Sequence, residues 1–166
     1  MKGLFNRPKF IVKDNVLVDV ILPIFMSGKT LVIPSEINGI KIQTVGRGAL
    51  SRCSNRCERI VFGDEITSFD CNFLALLGSS LMAMMDKNIP TISSIVWPSK
   101  CKRIPGHFFE NYLPNFRLEG TANVEHIGEA AFKNSGIRDF PDGLVAESDG
   151  NPFDMCDFGK VEFYDF

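Results

Sequence analysis

Short apolar runs recur along this chain, each alternating between large apolar residues and their neighbours. Leu31-Val32-Ile33, Ile60-Val61-Phe62, Ile95-Val96-Trp97 and Phe116-Arg117-Leu118 all carry bulky apolar groups at positions i and i+2. A period of two places such residues on one face of a strand. Each run leads through a polar loop to an apolar anchor, successively Val45, Phe69, Ile104 and Ile127. Five residues after each anchor comes a further apolar group: Leu50, Leu74, Phe109 and Phe132. The anchors stand 24, 35 and 23 positions apart. The long interval exceeds the others by about a dozen residues, the size of one inserted helix. Leu74 to Lys87 (LALLGSSLMAMMDK) supplies it, for a helix spanning about 73–87. One short strand cannot bury its inner face alone, so the copies are expected to stack on a shared core. Leu31, Ile60, Ile95 and Phe116 are then the adjoining rungs of one sheet. Gly128-Glu129-Ala130-Ala131-Phe132 reads as a short helical turn carrying the aromatic.

The flanks read differently. Phe10 to Leu22 (FIVKDNVLVDVIL) alternates on two arms about Lys13-Asp14-Asn15, the pattern of a β-hairpin. Placed against the first repeat, it covers an otherwise open apolar end, as a repeat array requires. Ser27-Gly28-Lys29 breaks before the first repeat strand, and Asn38-Gly39 marks a turn. After Pro141 the pattern loosens into DGLVAESDGNP. Val161 to Phe166 then alternates again and is expected to add a closing strand. This gives a single domain over 1–166, with an N-terminal cap at 1–30, repeats at 31–141 and a C-terminal cap at 142–166.

Three stretches carry a resemblance to a known family. They are Ile92-Ser-Ser-Ile95-Val-Trp97-Pro98, Val124-Glu-His-Ile127-Gly128-Glu-Ala-Ala131-Phe132, and Pro34-Ser-Glu-Ile37 through Val45-Gly46 to Cys53. Together they resemble the BspA-type leucine-rich repeat of bacterial surface proteins, over about Leu31 to Pro141. Asp70 and Pro105 stand where that pattern has Gly, and Tyr112 and Ser135 where it has Cys. The resemblance implies an α/β leucine-rich-repeat solenoid of short parallel strands, loops and short helices. The hairpin and the inserted helix are additions to it. It also implies a non-enzymatic protein-binding role, with adhesion to host matrix proteins or other cells.

Composition narrows the remaining chemistry. An apolar content of 45% and a charged content of 23% are those of an ordinary globular domain. Fifteen Phe against one Trp and two Tyr follow from an aromatic that recurs in each repeat. A net charge of −2 gives no global attraction to nucleic acid or anionic membrane. No apolar run reaches the roughly 20 residues of a membrane span, and Lys13, Asp14 and Asp19 interrupt any signal-peptide core. Five cysteines (Cys53, Cys57, Cys71, Cys101, Cys156) cannot all pair. They read as small core hydrophobes in a reducing, cytoplasmic compartment, with cell-surface export as the alternative that the resemblance implies.

Cys53-x-x-x-Cys57 has half of a zinc-ligand spacing and no second pair follows, so no metal or cofactor is expected. His107 and His126 lack the spacing and orienting group of a Cys–His hydrolase, the least favoured reading. Asp157-Phe158-Gly159 has none of the other kinase elements around it. The Met-rich stretch of the inserted helix reads as packing surface rather than as a binding face. Function is therefore expected on the curved (concave) side of the sheet. Val32, Val61, Val96 and Arg117 form one outward column there, and Arg59, Ser94 and Asn115, with Asp139, lie one position before the inward residues. The expected partner is a protein, a host matrix protein on the adhesion reading; an intracellular repeat scaffold is the alternative.

Overall fold

A computed structural model of the chain describes residues 7–26, 29–79, 92–139 and 146–156. The first elements are β1 (Lys9–Lys13), β2 (Val16–Ile21), β3 (Thr30–Val32), β4 (Glu36–Ile37) and β5 (Ile40–Lys41). Then come β6 (Thr44–Val45), β7 (Arg59–Val61), β8 (Ser68–Phe69) and the helix α1 (Phe73–Leu76). The rest are β9 (Ser94–Val96), β10 (Arg103–Ile104), β11 (Arg117–Glu119), β12 (His126–Ile127) and β13 (Glu147–Ser148).

The repeat runs form one parallel sheet in the order β3-β7-β9-β11. Leu31, Ile60 and Ile95 are paired rungs and all are fully buried. The fourth rung differs from expectation. Leu118, not Phe116, pairs with Ile95, and Phe116 instead bridges to Ile137. The cause is Gly120. Its φ of +74° and the Trp97 carbonyl 3.0 Å from where a Cβ would stand leave no room for a second large residue. Leu118 therefore takes the first apolar position and Gly120 faces Trp97, while Phe116 drops into the core against Phe109 and Tyr112.

The anchors form further parallel ladders. Val45 pairs with Phe69, and Ile104 with Ile127. On the N-terminal side the hairpin joins in, because Leu17 of β2 pairs in parallel with Val45. Leu17 and Val20 are fully buried by this placement. The hairpin turn runs through Asp14 and Asn15 at φ 51° and 64°, values that short polar side chains tolerate. On the other side the rungs run on past Pro141, where the sequence analysis ends the repeats. Ile127 pairs with Ser148, and Phe153, five residues further, stacks on Phe132 at 4.9 Å and 4°. The proposed closing strand at Val161 to Phe166 lies outside the described residues.

The turn after Ile127, expected as a helix, is not one. At Gly128 to Ser135 the bonds are i to i+3, from Ala131 N–H to the Gly128 carbonyl and from Lys133 N–H to the Ala130 carbonyl. They are broken by left-handed residues at Ala130 (φ 53°) and Asn134 (φ 50°). This alternation turns every second N–H toward the next repeat. Phe109 N–H donates to the Ala131 carbonyl at 2.6 Å, and Phe132 N–H to the Pro152 carbonyl at 2.8 Å. Among the described residues only the second repeat carries a helix. Asn72 caps α1 by accepting from the Ala75 N–H, and Gly78 at φ +66° follows its last turn. The expected helix ran to about Lys87; residues 80–91 lie outside the described set.

Asn111 and Asn134 occupy the same left-handed position in adjacent repeats, and Asn134 Nδ2 donates to Asn111 Oδ1 at 3.0 Å. Met155, at φ 57° and 68% exposed, holds that position in the next repeat. A left-handed conformation costs an ordinary side chain about 1–2 kcal/mol, and Asn less. Met155→Asn is expected to raise stability by about 0.5–1 kcal/mol, read as a higher midpoint in urea; a lower midpoint would count against this account.

Tyr112 closes the core beside Ile92. Its hydroxyl donates to the Ile92 carbonyl at 2.7 Å and its ring is fully buried. Burial pushes its pKa well above the ordinary tyrosine value. Above pH about 10 the unfolded chain releases this proton while the folded chain keeps it. Fewer protons are then bound in the unfolded state, so stability falls by about 1.4 kcal/mol per pH unit from this group. In Tyr112→Phe that share of the alkaline fall should be missing, as measured by urea titrations at pH 9 to 11.

Candidate functional site

Because Leu31, Ile60, Ile95 and Leu118 point inward, the residues on either side of each point outward. Two rows result, both set by the strand register. Val32, Val61, Val96 and Glu119 form one row, and Thr30, Arg59, Ser94 and Arg117 form the other. Three of the expected valines are thus brought into line on adjoining strands. Val32 is 57% exposed, and Val61 and Val96 are half-buried.

The two-residue register shift at β11 rearranges the rest of the expected columns. Arg117 stands beside Ser94 rather than beyond Val96, and Glu119 ends the valine row. Asn115 precedes β11, exposed and outside the paired strands. The same face keeps all these side chains, since a shift of two preserves the direction in which each points. Glu119 is the residue that sequence reasoning missed. A nine-residue interval from rung to anchor shared by the last three of these repeats (Ile60 to Phe69, Ile95 to Ile104, Leu118 to Ile127) is the signal that locates it.

Polar groups on this face are tied to one another. Arg59 reaches over β9, donating to Ser94 Oγ at 2.6 Å and to Glu119 Oε2 at 3.1 Å. Arg117 Nε stands 3.4 Å from Asp139 Oδ2. All four charged side chains are more than a third exposed, so these pairs add little to stability. They fix where the charges stand around the valines. The surface is an apolar stripe bordered by two ion pairs of zero net charge.

Titratable groups elsewhere are engaged locally. His107 Nδ1 lies 2.6 Å from Glu110 Oε2, and His126 Nε2 lies 2.9 Å from Asp149 Oδ2. The His126 contact, helped by Arg103, holds the Asp149 carboxyl below its usual range. Cys53, Cys57 and Cys101 are buried among the core side chains. The hydrogen bond to Cys57, together with burial, pushes the Cys53 thiol up. Burial does the same for Cys101, whose Sγ faces the Thr67 and Arg103 carbonyls. Among the described residues no hydrogen bond joins a cysteine to a histidine, and no group of His, Cys, Asp or Glu is arranged to hold a metal ion. No described helix is long and apolar enough to cross a membrane.

No protein-family model and no curated protein matches the sequence. The chain is similar in structure to the solved leucine-rich repeat protein of T. pallidum (TpLRR), at 16% identity and a TM-score of 0.50. The likeness covers 88% of this chain and 63% of that one. It is a likeness of fold, and the fold is an α/β repeat fold of the leucine-rich kind, mostly strands with little helix.

Proposed function

We propose that the chain is a non-enzymatic protein-interaction module that binds a partner protein through the outward face of its parallel sheet. The observation that carries this is the row Val32-Val61-Val96, three aliphatic side chains in register on a solvent-facing sheet surface. Good strand propensity explains valine in each strand. It does not explain why the stripe is bordered by Arg59, Ser94, Glu119 and Arg117, a mixed polar rim around an apolar centre. That arrangement is the anatomy of a protein-binding patch. Repeat folds with stacked strands commonly bind through such a surface. On the finer reading the chain is of the BspA type and the partner is a host matrix protein, bound in adhesion.

Val61→Asp puts an unpaired charge at the centre of the stripe. Binding to purified host matrix proteins is expected to fall at least tenfold, about 1.4 kcal/mol or more. The melting temperature should stay near that of the parent, since the side chain faces outward. Binding and folding lost together, or binding unchanged, would count against the patch. A second reading, an intracellular scaffold, is favoured by the burial of Cys53, Cys57 and Cys101 as free thiols. A thiol titration separates the two. Five reactive thiols on denaturation and few in the native protein fit the scaffold; fewer than five on denaturation fit an exported, partly oxidised protein.

A further inference from the structure

Beside the valine row the strand register assembles a row of cations. Arg59, Ser94 and Arg117 are paired neighbours on β7, β9 and β11. The register continues one step past β11, where Phe116 bridges in parallel to Ile137. The Phe116 N–H donates to the Gly136 carbonyl and its carbonyl accepts from the Arg138 N–H, both at 3.1 Å. Arg138 therefore stands next to Arg117, and it is exposed where Ile137 is buried. Adjoining strands lie about 4.8 Å apart, so the two arginines repel each other. An anion placed over them offsets that repulsion.

The carboxylates on this face are fewer than the guanidinium groups. Arg59 is hydrogen-bonded to Glu119 at 3.1 Å. Arg117 Nε meets the Asp139 carboxylate only at 3.4 Å, longer than the roughly 2.8 Å of a hydrogen-bonded ion pair. Arg59, Arg117 and Arg138 thus stand against Glu119 and Asp139 in the described part of this face, a surplus of positive charge at the Arg138 end. Between them, Ser94 Oγ accepts from Arg59 Nη1 at 2.6 Å, so its own proton is available to a second acceptor.

We propose that the partner bound by the valine face lays across it an extended segment in which acidic residues alternate with aliphatic or aromatic ones. This rests on the valine face being a binding surface and names what occupies it. The cationic row and the valine row are two residues apart along each strand, about 7 Å. An extended segment running between them, across the strands, points successive side chains to opposite sides. One side meets Arg59, Ser94, Arg117 and Arg138, and the other meets Val32, Val61 and Val96. Carboxylates at every second residue recur at about 6.7 Å, within reach of flexible arginines one and two strands apart. Guanidinium forks match carboxylates in both shape and charge. A sulfated polysaccharide satisfies the arginines but leaves the valines uncovered, and is the poorer occupant.

The probe is a fluorescein-labelled synthetic peptide of strictly alternating Glu and Val, titrated with the full chain at low salt and read by anisotropy. A block peptide of the same composition and a peptide of alternating Lys and Val are the comparisons. The alternating Glu peptide should bind most tightly, and its affinity should fall as salt is added. Arg117→Gln with Arg138→Gln is expected to weaken it about tenfold. Lys9→Gln with Lys102→Gln makes the same change of charge on other ladders and should leave binding unchanged. Arg138→Gln alone, which keeps the Arg117–Asp139 contact, carries the test if the double variant fails to fold. The proposal is overturned if the alternating Glu peptide does not bind, if either comparison peptide binds as well, or if affinity survives the arginine substitutions. Tighter arginine-dependent binding of heparin, or arginine-dependent self-association in sedimentation, overturns it by naming another occupant. If Val61→Asp abolishes matrix-protein binding while the arginine substitutions leave the peptide unaffected, the valine face stands and only this proposal falls. Failure of the valine face itself gives a different result, with matrix-protein and peptide binding both unchanged in Val61→Asp.

Discussion

Phe132→Ala is expected to cost about 3–5 kcal/mol, toward the upper end of that range for a buried aromatic. Phe132 is fully buried at the middle of a ring stack, 5.3 Å and 14° from Phe109 and 4.9 Å and 4° from Phe153. The size of a truncation penalty depends on how far the surroundings can collapse into the space left. Here they are held apart. The N–H groups of Phe109 and Phe132 bond to the carbonyls of Ala131 and Pro152 in the following repeats, which sets the backbone spacing on both sides of the ring. The cavity therefore persists between two repeats, and two ring contacts are lost with it. Against a total stability of about 5–15 kcal/mol this is a large fraction. Urea unfolding followed by circular dichroism should show a strongly lowered midpoint, and Phe153→Ala, at a half-buried ring, a smaller shift. A loss under about 1.5 kcal/mol for Phe132→Ala would mean that the stack contributes little beyond filling space.

The aromatic column was legible because its chemistry is written in side chains of one kind at one spacing. The same holds for the anchors Val45, Phe69, Ile104 and Ile127 and for the N-terminal hairpin, whose two apolar arms flank Lys13-Asp14-Asn15. What misled was local backbone geometry. Phe116-Arg117-Leu118 has the apolar pattern of the other runs, and only the left-handed Gly120 moves the rung to Leu118. Ala130 carries no sequence mark of its left-handed conformation, so its turn read as helix. The rung at Glu147-Ser148 is polar, and the repeat there showed itself only in Phe153.

The candidate surface followed the same division. The direction of each side chain depends on whether its position is odd or even relative to the rung, and a two-residue error leaves that unchanged. Val32, Val61, Val96, Arg59 and Ser94 could therefore be placed on the outward face from alternation alone. Which residue stands beside which needs the register. Arg117 moved out of the valine row and Glu119 took its place for that reason, and the Arg59–Glu119 pair across β9 had no signal in sequence.

Gly128→Ala, like Gly136→Ala, should be among the most disruptive changes of one methyl group in the described residues. Its φ is not in the left-handed region, so the backbone itself accepts alanine, and the effect is purely one of space. A Cβ at Gly128 would stand 2.2 Å from the Gly106 nitrogen, 2.5 Å from its Cα and 2.9 Å from the Pro105 carbonyl carbon. All three are backbone atoms of the preceding repeat, and none can rotate away as a side-chain tip could. The Gly128 N–H also donates to the Ile104 carbonyl at 2.8 Å, so the two repeats cannot separate without breaking their ladder. Overpacking in a core costs about 1–3 kcal/mol when side chains can adjust, and here the backbones must move, so the expected loss lies at or above the top of that range. The counterpart test is Gly106→Ala, whose Cβ would meet nothing nearer than the Glu129 carbonyl at 3.1 Å. It should cost clearly less, and equal losses at the two positions would refute the steric account. The same contact explains why Pro105 and Asp70 can stand where the repeat pattern has glycine. The requirement belongs to whichever residue the neighbouring backbone presses against, and between the third and fourth repeats Gly128 is such a residue, as is Gly136 against Leu113 and Pro114.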